Sequence, residues 1–201
     1  MDVTGDSTLL HLERTLLAVG CTSVLIAVGL VASALPSTGY EVSIYAAYPV
    51  HFWFFITVSI VCGICVLLAE AFRNRKSKRY LSGLLITLVS NLIIILLPVF
   101  RDYYVSEAAD EMSRLAMIKD IALSAHVGNS DYYPVAHILA YQASSVSGLD
   151  PVFVIKVLPP FFYLAYMAGL YLLGRQVATE FGQVMLMMAF GSVLLFTHYS
   201  Y

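Results

Sequence analysis

Asp110 and Glu111 are adjacent carboxylates, with Arg101, Arg114 and Lys119 close by in the chain. A carboxylate near a helix start is favoured in its ionised form and can accept a proton from a hydroxyl, while a nearby cation can take up the charge of a leaving group. For that the carboxylate needs an acceptor hydroxyl within hydrogen-bond reach, and the spacing by itself does not carry an enzyme. The plainer alternative is an Asp110–Arg114 pair at i,i+4 on a solvated face. Asp120 follows ten residues later, about 15 Å further along one helix, so it shares neither a proton nor a metal with Asp110.

The element that must carry these groups is residues 107–125, which contain no Gly or Pro. Helical spacing puts Ala108, Met112, Leu115, Ala116 and Leu123 on one face, with Glu107, Asp110, Glu111 and Arg114 on the other. An amphipathic helix lying on a membrane surface is the expectation. Gly128-Asn-Ser-Asp131 ends it, Tyr132-Tyr133-Pro134 opens a shorter apolar helix to Val146, and Ser147-Gly148 with Asp150-Pro151 forms a further turn. Val135 to Val146 reaches only about 18 Å of a bilayer core of about 30 Å, so the sidedness of the helices after residue 147 stays open at the level of sequence.

With 60% hydrophobic and 12% charged residues and a mean hydropathy of +0.81, the chain carries more apolar surface than a soluble domain of its length buries. Leu81 to Phe100 alone holds twenty residues without a formal charge, enough for about 30 Å. Further spans are expected at Thr15 to Leu35, which is too long for a cleaved signal, and at Val50 to Phe72, which opens on the aromatic run His51-Phe-Trp-Phe-Phe55. Val152 to Gly174 is apolar apart from Lys156 and is expected to break at Pro159-Pro160; a last apolar run covers Val184 to Phe196.

Five of the eleven cations (Arg73, Arg75, Lys76, Lys78, Arg79) sit in one loop between two spans. Cytoplasmic loops are enriched in Lys and Arg, so this loop is expected inside and the acidic segment 101–133 outside. The net charge of −2 says little, because the charges are segregated by position. Cys21, Cys62 and Cys65 lie in predicted spans, and Cys62-Gly-Ile-Cys65 reads as small residues packing between helices rather than a redox or metal pair. Asn91, in mid-span, is expected to hydrogen-bond another helix. His51 and His198 read as interfacial aromatics, and His137 read without further context is a packing residue.

From Arg101 onward the order Asp110-Glu111, Lys119-Asp120-Ile121, Tyr132-Tyr133-Pro134-Val-Ala-His137, Ser147-Gly148-Leu-Asp-Pro151, Lys156-Val-Leu-Pro159 and Tyr171-Leu-Leu-Gly-Arg175 resembles the opening of membrane-embedded glycosyltransferases with the GT-C fold. Pro36 to Trp53, with Gly39-Tyr40-Glu41 and Tyr48-Pro49, resembles the two-span leader that precedes that unit in archaeal members. The resemblance implies inverting transfer of a sugar from a polyprenyl-phosphate donor to an acceptor at the outer face. Asp110 or Glu111 would be the catalytic carboxylate, and Arg101, Arg114, Lys119, Asp120, Tyr133 and His137 would contact substrate. No cofactor is required; some members recruit a divalent cation (Mg2+ or Mn2+), which Asp110 and Glu111 would ligate. Arg114 stands where members have His or an aromatic residue, and Lys156 replaces the Arg of an Arg-Leu-Pro element.

The expected fold is all-α: a polytopic transmembrane bundle of five or six helices with an amphipathic surface helix in an outer loop. Residues 1–80 form a two-span leader with the basic cytoplasmic loop, and residues 81–201 a GT-C-like unit. Members of the family continue for many more spans, so a truncated unit that keeps the scaffold without turnover is part of the expectation. The expected partners are membrane lipid and a polyprenyl-phosphate-linked sugar, with a membrane protein partner and no nucleic acid. The alternative function is a non-enzymatic integral membrane scaffold or partner subunit. A transporter is disfavoured because no span carries a central charged residue.

Overall fold

In the computed structural model the described residues are 3–39, 41, 43–73, 78–103, 108–129, 131–132 and 134–194. They form eight helices and no strand: α1 (Val3–Ser33), α2 (Ile44–Ala47), α3 (Val50–Arg73), α4 (Arg79–Phe100), α5 (Ala108–Ser124), α6 (Pro134–Ser147), α7 (Pro151–Val177) and α8 (Phe181–Leu194). Four stretches are long and apolar enough to cross a membrane: Leu10–Ser33, Val50–Arg73, Arg79–Phe100 and Pro151–Val177. A chain built this way is a membrane protein. α7 continues through Pro159 and Pro160 rather than breaking there. Each proline forfeits one backbone donor, but its fixed φ suits a helix and the rest of the ladder is kept.

The helices fall into two compact units, each discontinuous in sequence. The first comprises Met1–Ala34, Val42–Ile94 and Tyr163–Tyr201. Its core is drawn from Ala27, Phe52, Ile56, Val66, Leu67, Ile86, Tyr163, Met167, Met185 and Met188. Lipid tails are as apolar as leucine, so helices in such a unit associate through close packing and buried hydrogen bonds. Gly63 of α3 and Gly83 of α4 permit that approach. A Cβ on Gly63 would stand 2.3 Å from Thr87 Oγ1 and 2.9 Å from the Gly83 carbonyl. Ser59 and Ser90 share a buried 2.7 Å hydrogen bond across the same pair of helices. Cys62 packs beside Gly20, where an added Cβ would come within 3.1 Å of it, which agrees with the packing reading of the Cys-x-x-Cys spacing.

Asn91 in mid-α4 is 2% exposed and donates from Nδ2 to the Tyr163 hydroxyl of α7 at 2.6 Å, the interhelical partner its position demands. At the basic end, Glu13 of α1 is buried between Arg73 Nη1 (2.5 Å) and Arg79 Nη1 (2.8 Å). The Tyr80 and Phe181 rings meet edge-on with centroids 5.0 Å apart. Glu13 of α1, the end of α3, the start of α4 and the start of α8 therefore lie at one end of the unit.

The second unit comprises Leu35–Glu41 and Ile95–Phe162. Ile118 of α5, Ala140 of α6 and Val154 of α7 form its core, with Tyr141, Ile155 and Leu158 packed around them. The stripe that α5 buries is Leu115, Ile118 and Ile121, whereas Met112 and Leu123 are 49% and 89% exposed. This corrects the face assignment, which grouped Leu115 with Met112 and Leu123: the neighbour that decides burial is α6, and it takes the i,i+3,i+6 edge of the apolar arc.

Helix ends in this unit are set by local chemistry. Asp150 caps α7, its Oδ1 accepting the Val152 amide at 2.7 Å ahead of Pro151 in the first helical position. α4 closes with amide bonds from Tyr103 to the Pro98 carbonyl (3.0 Å) and from Asp102 to the Val99 carbonyl (3.1 Å). Asp102 has φ 56° in the left-handed position that this closure requires. α5 and α6 end on Ala125 (φ 58°) and Gly148 (φ 71°) in the same conformation.

Candidate functional site

The second unit gathers most of the residues that the sequence singles out. Asp110 lies in the first turn of α5; its side chain and Tyr133 lie outside the described residues. By helical register, positions 110, 113, 117 and 120 fall on one stripe of α5. The middle of that stripe faces a cleft of about 280 Å3, lined by Ser113, Ala116, Met117 and Asp120 from α5 and by Gly128 and Asp131 from the following turn. The turn is closed by a 3.0 Å bond from the Asp131 amide to the Gly128 carbonyl.

Asp131 is the best-fixed group in the cleft. Its side chain is 3% exposed and its Oδ2 lies 2.8 Å from His137 Nδ1, itself 8% exposed. The carboxylate fixes which imidazole nitrogen faces it, and the imidazole fixes the carboxylate. His137 thus sits behind the cleft and reaches it only through Asp131. Asp120 is exposed on the opposite wall, and its carboxylate makes no hydrogen bond or ion pair among the described residues.

The other candidates are dispersed. Glu111 is half-buried, Arg114 and Lys119 are exposed, and none of the three lines the cleft. Arg101 forks onto Glu41, with Nε 3.2 Å from Oε2 and Nη2 on Oε1, and also donates to the Leu35 carbonyl. The Tyr103 hydroxyl donates to the same carboxylate. The bond from Arg101, then that from Tyr103, hold the Glu41 carboxyl below the usual carboxylate range. Burial, and then the bond to Glu41, push the Tyr103 phenol up to about 12. Arg101 therefore clamps residues 35–41 to the end of α4.

Among the described residues no three His, Cys, Asp or Glu side chains converge as a metal site. The residues that sequence reasoning did not single out are Ser113, Met117 and Asp131. The signal was present in part: Ser113, Ala116, Met117 and Asp120 follow i,i+3,i+4,i+7 spacing, which defines a helix stripe. Comparison with family models, with curated proteins and with solved structures gave no match.

Proposed function

We propose that this protein is a glycosyltransferase-like membrane protein of the GT-C type, multi-pass in the cell membrane, handling a polyprenyl-phosphate-linked sugar at the outer face. α1, α3, α4 and α7 are its spans, α8 is a shorter fifth, and α5 lies on the outer surface with Met112 and Leu123 against the lipid. The observation that carries the reading is the α5 stripe: a first-turn carboxylate, Asp110, continues into a polar cleft inside the unit formed by the end of α4, the α5–α6 pair and the start of α7. Asp110 accepts the proton of the acceptor hydroxyl as the acceptor oxygen attacks the sugar's anomeric carbon. The bond to the lipid phosphate breaks, and Arg114, one turn on from Asp110, stabilises the departing charge.

The test is transfer of a radiolabelled sugar from a polyprenyl phosphate in vesicles carrying the full chain. Asp110→Asn should lower transfer about 100-fold or more, the scale of a lost general base, while unchanged transfer would remove the catalytic assignment. A second reading, the non-enzymatic scaffold or partner subunit, is favoured by one observation: Arg101 is committed to Glu41 and Leu35 and so is engaged in structure rather than in neutralising a phosphate.

A further inference from the structure

We infer that the interior of the first unit binds an ordered water molecule between Asn91 of α4 and Tyr163 of α7, beside the Ser192 carbonyl of α8. Asn91 and Tyr163 are each 2% exposed, and Asn91 Oδ1 is buried with no hydrogen-bond partner among the described residues. A polar atom left in that state carries its full desolvation penalty, and lipid tails supply no donor to relieve it. Tyr163 has the complementary need. Its hydroxyl accepts the Asn91 Nδ2 proton at 2.6 Å, so its own proton still seeks an acceptor, and the described residues supply none. An unmet acceptor thus stands beside an unmet donor. A guest that donates one hydrogen bond and accepts another satisfies both.

The distances fit one water. The oxygen and nitrogen of a planar amide are about 2.2 Å apart, so with the 2.6 Å bond Asn91 Oδ1 lies at most about 4.8 Å from the Tyr163 oxygen. Two water hydrogen bonds of about 2.8 Å each span such a gap at an open angle. The Ser192 carbonyl receives a long 3.4 Å bond from Nδ2, and its second lone pair can take the water's remaining proton, which gives the roughly three bonds usual for a buried water. Exchanging the oxygen and nitrogen of the amide moves the need without removing it. The Tyr163 proton would then find the oxygen, as 2.6 Å also allows. That oxygen, however, would face the Ser192 carbonyl, and two N–H donors would stand where no partner reaches. In either orientation the amide calls for a small polar guest. A charged one is a poor fit, because the three groups that face it are neutral and an ion buried without a counter-charge is costly. The site is independent of the transferase reading.

The experiment compares infrared spectra of the full chain in hydrated lipid films made with ordinary and with heavy-oxygen water. Protein N–H and O–H groups exchange hydrogen with the solvent but keep their own nitrogen and oxygen, so only a water's stretching band shifts with the heavier isotope. The chain should show a sharp isotope-shifted band above the bulk background. That band should move to higher frequency in Tyr163→Phe, where the water loses a partner, and stay unchanged in Ser59→Ala, which alters a different buried pair. It should be absent from the double variant Asn91→Leu with Tyr163→Phe. In that variant both polar partners are gone together, a change that is nearly neutral for stability, so it carries the test if a single variant fails to fold. The inference is overturned if the chain shows no such band, if the band survives the double variant, or if it is lost in Ser59→Ala. A crystal structure in which both amide atoms of Asn91 meet protein groups directly would overturn it equally.

Discussion

Asp102, Ala125 and Gly148 all hold the left-handed conformation at a helix end, but only glycine adopts it without a Cβ clash. Ala125→Gly should raise stability by about 1 kcal/mol, and Asp102→Gly by less, because Asp tolerates the region better than Ala. Gly148→Ala should cost about 1 kcal/mol. Thermal unfolding in detergent ranks the three, and an Ala125→Gly that lowers stability would contradict the backbone argument. Glu41 gives a pH prediction. Its carboxyl is depressed in the folded state, so its contribution is complete above the unfolded carboxylate pKa of about 4.3 and fades as pH falls through the lower folded value. Tyr103 runs the other way: its phenol, raised to about 12, donates at neutral pH, and its contribution is lost only as alkali passes that value. Protection against hydrogen exchange across residues 35–39, relative to the unstructured chain at each pH, should be high and constant from pH 5 to 8 and fall in acid; Glu41→Gln should lower it already at pH 7.

At the scale of elements, the α3–α4 contact and the Asn91 bridge make separable claims. Gly63→Ala drives a Cβ into Thr87 and the Gly83 carbonyl and should cost about 1–3 kcal/mol. Gly29→Ala, where an added Cβ meets nothing within 4 Å, is the control and should not destabilise. Asn91→Leu strips the Tyr163 hydroxyl of its partner in a buried site, at a cost of about 1–2 kcal/mol, and adding Tyr163→Phe should restore much of it, since removing both partners is nearly neutral. A double-mutant cycle without coupling would sink that account. The spans were legible from hydropathy because a bilayer-length apolar run has few competing explanations. The partners of Asn91 were not: Tyr163 is 72 positions away, and the sequence offers many hydroxyls. The break expected at Pro159-Pro160 failed because packing kept the remaining α7 bonds formed.

For the molecule as a whole, what composition conveyed was the class, and what it withheld was the pairing of distant charges. Glu41 with Arg101 and Asp131 with His137 join a turn or loop to a helix, where no periodicity announces the partner. Sidedness is open to direct measurement. The connections at Lys78 and Glu180 belong to the basic end, so single cysteines there, in a background lacking Cys21, Cys62 and Cys65, should react with an impermeant thiol reagent from one side of the membrane only. Cysteines at Tyr132 and Asp150 should react only from the other, under the proposed topology, and a mixed pattern would refute it.

Glu13 finds its arginines 60 and 66 positions later in the chain. At about 5–20 residues per second of synthesis, the first helix is made roughly 3–13 seconds before both guanidinium groups exist. Through that interval Glu13 has neither of the two guanidinium groups that hold it in the folded unit, so its burial waits on the arrival of the third and fourth helices.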